Sequence, residues 1–596
     1  MLDWIGRVVP ALGVLPGYTF HHARQDALAG MTVAAVAVPQ AMAYAMIIGL
    51  PPIYGLYTAI VMTAIGALFD SSRQLINGPT NAISIAVLSA VAMIAPPERR
   101  LEAVILLAFM IGVIQLFITL FRLGDLTRYI SHSVIVGFTL GAGSLLVIDQ
   151  MKNLFGIPGL GAADDHLLYR FWLTFTEGAG PHALTTALGF GTIALILALR
   201  WLKRAMNWPL LPELFITVCV MCAVVGLLDL EQAGVKVVGA IPASLPSFDL
   251  PTFDPTLIED LATSALAIAL LGLLEAISMA KAIAAVTRQK LDMNQQCLSE
   301  AVANIGGSLF QCIPGSGSLT RSAINRQAGA VTQWSGVVSA AGVTVIMLVL
   351  APYAQFLPRA TLAGILLVAS FGMVDWKALA YHWRTTRFDA AIIATTAISA
   401  IAISIEFCVL IGVLMSFMLT VPRAGRMLLS QFVIAPEGYV REMLPGEKPC
   451  SRLLIFGLEG EMFFGATSTL EQHLARIEAE VTAETRVVIL RLKRTRNPDA
   501  VALAELDQWM ERLEARGIRV ILCGVQAGML NVMAKAGLTE RLGPDRLFPE
   551  ERIRQTSTMR AVEAAYRLLG DRCETCAWRG MQDLTVITPV AKPGAG

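Results

Sequence analysis

A succession of long apolar runs constrains this sequence more than any other feature. A helix that crosses the hydrocarbon core of a bilayer needs about 20 mostly apolar residues. Reading for such runs predicts fourteen transmembrane elements, near residues 27–48, 52–69, 76–95, 101–121, 131–150, 183–202, 208–229, 258–281, 297–312, 316–328, 331–351, 358–374, 388–403 and 404–422. The first part of the chain is therefore predicted to be an α-helical membrane protein.

Composition supports a membrane domain joined to a different kind of domain. Hydrophobic residues make up 55% of the chain and charged residues 15%, whereas soluble domains average about 25% charged residues. Of the 46 Lys and Arg residues, 24 precede residue 427 and 22 follow it, although the second segment is far shorter. The net charge of +1, without a basic stripe, gives no indication of a nucleic-acid partner.

The distribution of Lys and Arg between the spans predicts the orientation. With the N-terminus inside and the elements alternating, most of these residues fall in the inside segments, as expected for membrane proteins. We therefore expect a multi-pass protein of the cell inner membrane, without a cleaved targeting peptide. The predicted domains are a cytoplasmic N-terminal segment (1–26), a transporter domain (27–425), a cytoplasmic globular domain (426–570) and a flexible C-terminal tail (571–596).

The globular domain alternates short strands with helices. Strands are predicted at 453–458, 486–492 and 519–523, and helices at 469–483, 502–516 and through 529–536. Strand–helix alternation of this kind is typical of a small α/β sheet.

The third and tenth predicted elements are interrupted, by Asn77–Asn81 and by Pro314–Arg321 respectively. Two Gly/Pro-broken elements at matching positions indicate an inverted-repeat transporter with a binding site near the bilayer midplane. A broken helix exposes unpaired N–H groups with a partial positive charge, so two such ends facing each other can bind an anion. The alternative is a pair of kinked helices, since Gly and Pro are frequent in membrane spans. The short polar side chains beside the breaks are Thr80, Asn81, Ser318 and Thr320.

Glu275 is an ionisable residue inside the apolar run 265–280. Such residues are costly in a membrane and indicate function by default. Burial disfavours the charged form, so this carboxyl group could take up a proton near neutral pH and couple it to anion binding. The alternatives are a static ion pair with Arg321 or Lys281, or a position that faces the cytoplasm.

Three further polar residues in the spans have two interpretations each. Arg321 either offsets the charge of the substrate or of Glu275, or extends its side chain to the membrane surface. Gln40 follows a proline in the first span and, as a buried amide, needs hydrogen-bond partners. It either lines a substrate cavity together with Tyr44 or only ties helices together.

The sequence indicates no enzyme, cofactor or metal site. It lacks a metal-ligand cluster and a nucleophile elbow, and the Gly-rich Ile313–Leu319 lacks the Lys of a phosphate-binding loop. Cys573 and Cys576 form a single CxxC, which is weak support for zinc without a second pair. A membrane-bound sensor whose tail relays a signal is the alternative from another functional class.

Several long stretches carry a family resemblance. PQAMAYAMIIGLPPIYGLYTA and SSRQLINGPTNAIS cover the first three spans, and ISMAKAIA, ANIGGSLFQCIPGSGSLTRSAINRQAGAVTQ and LPRATLAGIL cover the eighth to twelfth. These stretches resemble the sulfate permease (SulP) family, the relatives of solute carrier family 26. The globular domain resembles a STAS domain.

The resemblance implies a seven-plus-seven inverted repeat with a uracil-permease-like core and gate, an elevator-like movement and a homodimer. It also places an anion site between the two half-helices. Carried over residue by residue, the substrate-binding positions are Gln40, Tyr44, Thr80, Asn81, Ala82, Ser318, Leu319, Thr320 and Arg321.

Glu275 matches the position at which cation-coupled symporters of the family have a carboxylate. The resemblance therefore implies proton-coupled symport of an inorganic oxyanion such as sulfate, or of a small dicarboxylate. A sodium-coupled bicarbonate importer and an electroneutral anion exchanger are the alternatives.

One stretch departs from the pattern. STAS domains related to phosphorylated antagonists have an Asp-Ser-Ser/Thr-Gly-type turn, and residues 497–502 (NPDAVA) lack its Ser/Thr and Gly. A scaffold or dimer-contact role is expected in place of a phosphorylation switch.

Overall fold

The computed structural model describes residues 9–92, 99–122, 131–161, 165–208, 211–435, 438–553 and 555–570. The chain divides into two compact units between Ser416 and Phe417. Residues 93–95 of the third predicted span, Cys573 and Cys576, and the tail 571–596 lie outside the described residues.

The first unit is helical, and its membrane elements follow the predicted order; the last membrane helix begins in this unit and continues past Ser416 into the second. The elements are α1 (Phe20–Ile48), α2 (Pro52–Phe69), β1 (Asn77–Gly78), α3 (Asn81–Ala92), α4 (Arg100–Leu120), α5 (His132–Phe155), α6 (Ala183–Ala205), α7 (Glu213–Leu227), α8 (Pro255–Thr287), α9 (Met293–Ser308), β2 (Ser316–Gly317), α10 (Leu319–Gln327), α11 (Trp334–Leu350), α12 (Arg359–Met373), α13 (Arg387–Ala402) and α14 (Ile405–Ala424). Within the described residues, nine helical segments are long and apolar enough to cross a membrane.

Some helices in the structure do not begin where the apolar runs begin, because a capping residue fixes the end of the helix. Helix α1 begins at Phe20, several residues before the apolar run, because Thr19 forms a capping box with His22. Two short helices, Leu167–Thr176 and Trp376–Thr385, were not predicted. Both are amphipathic and expose aromatic side chains such as Trp172, as is common at membrane interfaces.

The helices pack in two groups, α1–α4 with α8–α11 and α5–α7 with α12 and α13. Helix α14 belongs to the second group, since Gly412 lies against Thr396 of α13 and Val134 of α5. Packing pairs recur with an offset of seven elements: α1 with α11 and α8 with α4, α2 with α11 and α9 with α4, and α5 with α13 and α12 with α6. The packing is therefore consistent with a seven-plus-seven repeat.

Glycines allow these helices to approach closely. A Cβ atom at Gly30 of α1 would lie 2.5 Å from the Ser335 carbonyl of α11. One at Gly137 of α5 would lie 2.8 Å from the Ile393 carbonyl of α13. Small residues at such contacts are typical of helix packing in membranes.

The second unit contains a six-stranded sheet of order β4-β3-β5-β6-β7-β8. The strands β5 to β8 are parallel, whereas β3 pairs antiparallel with β4 and β5. The elements are β3 (Leu428–Ile434), β4 (Val440–Glu442), β5 (Leu453–Glu461), α15 (Thr467–Glu480), β6 (Val487–Arg496), α16 (Ala500–Ala515), β7 (Arg519–Val525), α17 (Ala527–Lys535), α18 (Leu538–Leu542), β8 (Leu547–Pro549) and α19 (Thr556–Leu569).

Both faces of this sheet are covered, as the alternation of strands and helices predicts. One core contains Phe456 of β5 and Trp509 of α16, and the opposite core contains Ile489 of β6 and Ala561 of α19. Residues 497–502 are the stretch that lacks the Ser/Thr and Gly of the STAS turn. There Asp499 caps α16, accepting hydrogen bonds from the Ala502 amide at 2.9 Å and the Phe464 amide at 2.6 Å. This aspartate therefore has a structural role.

Candidate functional site

The two interrupted elements meet at their breaks. Strands β1 and β2 pair antiparallel, with Asn77 opposite Gly317 and Gly78 opposite Ser316. The amide of Ser318 also donates to the Ile76 carbonyl at 2.9 Å. Because α3 and α10 begin within three residues of these strands, both half-helices start at the same place in the first unit.

Glycine is required where the two breaks approach each other. Gly78 has φ of +143°, a conformation that L side chains rarely adopt, and a Cβ atom there would lie 2.8 Å from Arg321 Nη1. A Cβ atom at Gly315 would lie 2.5 Å from the Gly78 carbonyl oxygen. The glycines seen in the sequence therefore serve the pairing of the two breaks as well as the interruption of the helices.

Each half-helix begins with a hydroxyl cap. The Thr80 hydroxyl accepts from the Ile83 amide at 3.3 Å, and the Ser318 hydroxyl accepts from the Arg321 amide at 3.5 Å. The amides that precede these in each first turn have no intrahelical partner. The two helix dipoles add a partial positive charge at the same point.

Arg321 supplies a full positive charge beside the breaks. Its side chain is 1% exposed, and Nη2 donates to the Pro79 carbonyl oxygen at 2.8 Å. Arg321 therefore does not extend to the membrane surface. Its Nε has no hydrogen-bond partner among the described residues, and the guanidinium lies within electrostatic range of Tyr44 and Glu275.

Glu275 of α8 faces the first break. Its carboxylate accepts a hydrogen bond from the Thr80 hydroxyl at 3.1 Å. Among the described residues no Lys or Arg lies within ion-pair distance of it: Arg321 acts at longer range, and Lys281 is exposed on the same helix. The static ion pair considered above is therefore not formed in this structure.

A cavity of about 60 Å³ adjoins Glu275 and lies between the two helix groups. From the α1–α4 and α8–α11 group it is lined by Ala82, Leu271, Leu274, Glu275, Met279 and Leu319. From the other group it is lined by Val134, Ile135, Phe138, Thr139, Met373 and Val409. The cavity therefore combines a carboxylate, the two half-helix starts and apolar side chains.

The remaining predicted residues lie around this arrangement with different exposures. Gln40 and Tyr44 are buried on α1, which packs against both α3 and α10. The Gln40 Oε1 atom has no hydrogen-bond partner among the described residues. Asn81 Nδ2 lies 3.7 Å from Met373 Sδ, whereas Thr320 is exposed at the start of α10.

Sequence reasoning missed the apolar wall of the cavity. Phe138 of α5, Met279 of α8 and Met373 of α12 line it. These residues occur in ordinary apolar spans and nothing in their local pattern distinguishes them, because only the packing of distant helices brings them together.

Comparison with known proteins decides the family. The model of the sulfate permease family matches residues 24–396, and the model of the STAS domain matches residues 447–552. The chain belongs to the sulfate permease family. Proteins of this family are anion transporters and not enzymes, so this permease is a multi-pass membrane anion transporter with a C-terminal STAS domain.

Two curated relatives cover nearly the whole permease. "Probable sulfate transporter 4.2" of Arabidopsis thaliana is 31% identical over 573 residues, which is 92% of this chain and 83% of the relative. "Putative sulfate transporter YvdB" of Bacillus subtilis (strain 168) is 30% identical over 539 residues, which is 90% of this chain and 98% of the relative.

Solved structures share the fold of the permease. The structure of SLC26A9 is similar with a TM-score of 0.84 and 20% identity, covering 95% of this chain and 94% of that one. The transmembrane domain of the cyanobacterial bicarbonate transporter BicA is similar with a TM-score of 0.55 and 24% identity, covering 67% and 98%. The predicted fold class, a helical membrane transporter with an α/β STAS domain, is confirmed.

Proposed function

We propose that this permease is a proton-coupled symporter of an inorganic oxyanion such as sulfate, or of a small dicarboxylate. The observation that carries the proposal is the meeting of the α3 and α10 starts with the guanidinium of Arg321 and the carboxylate of Glu275. The names of its relatives, both sulfate transporters, favour sulfate.

The anion is proposed to lie between the two half-helix starts. The first-turn amides and Arg321 supply positive potential there without full exposure to water. The proposed contacts are Gln40, Tyr44, Thr80, Asn81, Ala82, Ser318, Leu319, Thr320 and Arg321.

Glu275 is proposed to be the coupling group. When ionised, it repels an anion in the adjoining cavity, and when protonated it does not. The Thr80 hydroxyl caps α3 and also donates a hydrogen bond to this carboxyl group. Glu275 is therefore linked through one residue to the start of α3. Proton binding at Glu275 and anion binding at the break therefore favour each other.

The transport step is proposed to be an elevator-like movement of α1–α4 and α8–α11 against α5–α7 and α12–α14. The division into two helix groups and the cavity between them support this movement. Apolar side chains such as Phe138 and Met373 form much of the surface between the groups, and the weak contact from Asn81 Nδ2 to Met373 Sδ would have to break there.

The test of the function is radiolabelled sulfate uptake by full-length protein in proteoliposomes. An inward proton gradient should drive uptake in the wild type. Glu275→Gln should abolish this stimulation while sulfate–sulfate exchange continues, because the anion site is retained. Glu259→Gln, at an exposed carboxylate of the same helix, is the matched control and should behave as the wild type.

Two results of the same assay would contradict proton coupling by Glu275. One is undiminished proton-driven uptake by the Glu275→Gln protein. The other is wild-type uptake that follows a sodium gradient and ignores the proton gradient, which would favour the sodium-coupled alternative.

We propose that the protein lies in the cell inner membrane with its N-terminus and STAS domain in the cytoplasm, in the domain bounds 1–26, 27–425, 426–570 and 571–596. The excess of Lys and Arg in the corresponding loops supports this orientation. Protease added to intact spheroplasts should leave the STAS domain uncut. Cleavage there without lysis would reverse the orientation.

The oligomeric state is proposed to be a homodimer, as the family resemblance implies. Mass photometry of the purified full-length protein should give twice the mass of one chain. A monomer that still transports in proteoliposomes would show that dimerisation is not needed.

A further inference from the structure

A second pair of carboxyl groups is buried away from the proposed anion site. Asp70, at the end of α2, and Glu300, on α9, both have zero solvent exposure. Their surroundings are polar but uncharged: Asp70 Oδ1 accepts from Asn77 Nδ2 at 3.1 Å, Gln296 Nε2 at 2.6 Å and Ser299 Oγ at 2.7 Å.

This cluster has more hydrogen-bond acceptors than donors. By hydrogen-bond geometry, both carboxyl oxygens of Glu300, the Oδ2 atom of Asp70 and the Oδ1 atom of Asn77 lack a donor among the described residues, and the side chain of Gln296 lies near enough to act on Glu300. Buried polar atoms are almost always paired. Such a group of acceptors without donors is what a protonated carboxyl group would relieve, because protonation turns one acceptor into a donor.

The ionisable groups around Glu300 are also all acidic. The titratable groups that act on Glu300 are Asp70 and, from α8, Glu275, both acidic. From α4, the nearby polar side chain is the neutral Gln115, which is linked through Asn304 of α9. Arg321 acts on Tyr44 and Glu275. Two carboxylates buried together without a cation strongly destabilise a fold.

We propose that Asp70 and Glu300 form a second proton-binding site, in which one of the two carboxyl groups holds a proton. A single proton converts one of the unpaired carboxyl oxygens from an acceptor into a donor and removes one of the two buried negative charges. The proton needs no additional volume. A metal ion is a poorer match, because among the described residues no three His, Cys, Asp or Glu side chains form a ligand cluster.

The site is joined to the anion site through β1. Asn77, which donates to Asp70, forms the pair with Gly317 at the junction of the two breaks. Glu275 is also within electrostatic range of Glu300. A proton on the Asp70–Glu300 pair therefore stabilises the paired breaks and lowers the negative potential near the anion. This inference does not depend on coupling by Glu275.

The test is the pH dependence of the melting temperature of the full-length protein in detergent. The comparison is made in Glu275→Gln protein, so that Glu275 contributes nothing. A proton bound in the folded state but not in the unfolded state makes stability fall as pH rises. The melting temperature should therefore fall by several degrees between about pH 6 and about pH 9.

Addition of Glu300→Gln should flatten this dependence, because the amide supplies a donor at every pH. Addition of Glu259→Gln, at an exposed site, should leave it unchanged. An equal pH dependence with and without Glu300→Gln overturns the proposal. So does a melting temperature that rises with sodium in place of protons and loses this response in the Glu300→Gln protein.

A second measurement does not depend on folding of the Glu300 variant. The infrared spectrum of the Glu275→Gln protein at neutral pH should contain the carbonyl band of a buried protonated carboxyl group. Asp70→Asn in that background should shift this band, because a carboxyl group that acts on Glu300 is removed. A spectrum without a protonated carboxyl band contradicts the bound proton.

Discussion

The start of α3 and the start of α10 share a backbone arrangement but differ in charge. Each follows a two-residue strand, and each is capped by a hydroxyl, Thr80 or Ser318. Only α10 contributes a buried cation, Arg321, and only the α3 cap donates to a carboxylate, Glu275. The shared arrangement supplies amides for an anion, and the asymmetry supplies the charge and the coupling.

The largest expected effect comes from removal of the charge on the α10 side. Arg321→Ala should reduce sulfate uptake by about 100-fold, because loss of one partner of a buried polar contact costs about 2–5 kcal/mol. Arg321→Lys should recover only part, since an ammonium group lacks the fork of donors. Radiolabelled uptake at saturating and limiting sulfate measures both. Arg326→Ala, in the last turn of the same helix, is the control.

Equal uptake by the Arg321→Ala and Arg326→Ala proteins would contradict the proposed difference between the α3 and α10 starts. The two half-helices would then act through their amides alone, and the asymmetry in charge would have no part in binding.

The next effect concerns the backbone that both half-helices share. Gly78→Ala should lower uptake by about tenfold and the melting temperature by several degrees, because a left-handed residue costs about 1–3 kcal/mol and its Cβ meets Arg321. Gly372→Ala, on α12, is the control, since nothing lies within 4 Å of its Cβ position. Thermal unfolding and uptake of the two proteins should diverge. If they coincide, the close pairing of the breaks is not needed.

A smaller effect should separate the two caps. Thr80→Val removes a donor to the ionised form of Glu275, so uptake should persist to a higher pH than in the wild type. Ser318→Ala should reduce uptake a few-fold at every pH, since loss of a cap costs about 1 kcal/mol. Uptake measured across pH distinguishes the two. Parallel pH profiles for both variants would remove Thr80 from the coupling.

Local sequence predicted much of this comparison, but not its long-range part. The breaks follow from Gly78-Pro79 and from Gly315, whose effect on the backbone is local. The bond from Thr80 to Glu275 joins residues 195 positions apart, and no local pattern encodes it. Glu300 was overlooked although it lies in the ninth predicted span (297–312), because it is close to the polar Asn294–Gln296 just before that span. Its burial results from the packing of α9 against α2 and α4.

The smallest expected effect on transport lies in the STAS domain. Asp499→Ala removes the cap of α16 and should destabilise that domain by about 1–2 kcal/mol, with sulfate uptake unchanged. Hydrogen exchange of the α16 amides in the full-length protein measures the loss. Asp545→Ala, at an exposed position, is the control. A large loss of uptake in the Asp499 variant would show that this position has more than a structural role.

Anomalous diffraction from crystals grown with selenate, a heavier analogue of sulfate, tests the central claim most directly. The account predicts one selenium peak between the first turns of α3 and α10, within hydrogen-bond reach of their amides and beside Arg321. It also predicts loss of the peak in Arg321→Ala crystals. A peak elsewhere in the membrane unit, with none between the two half-helices, would contradict the account.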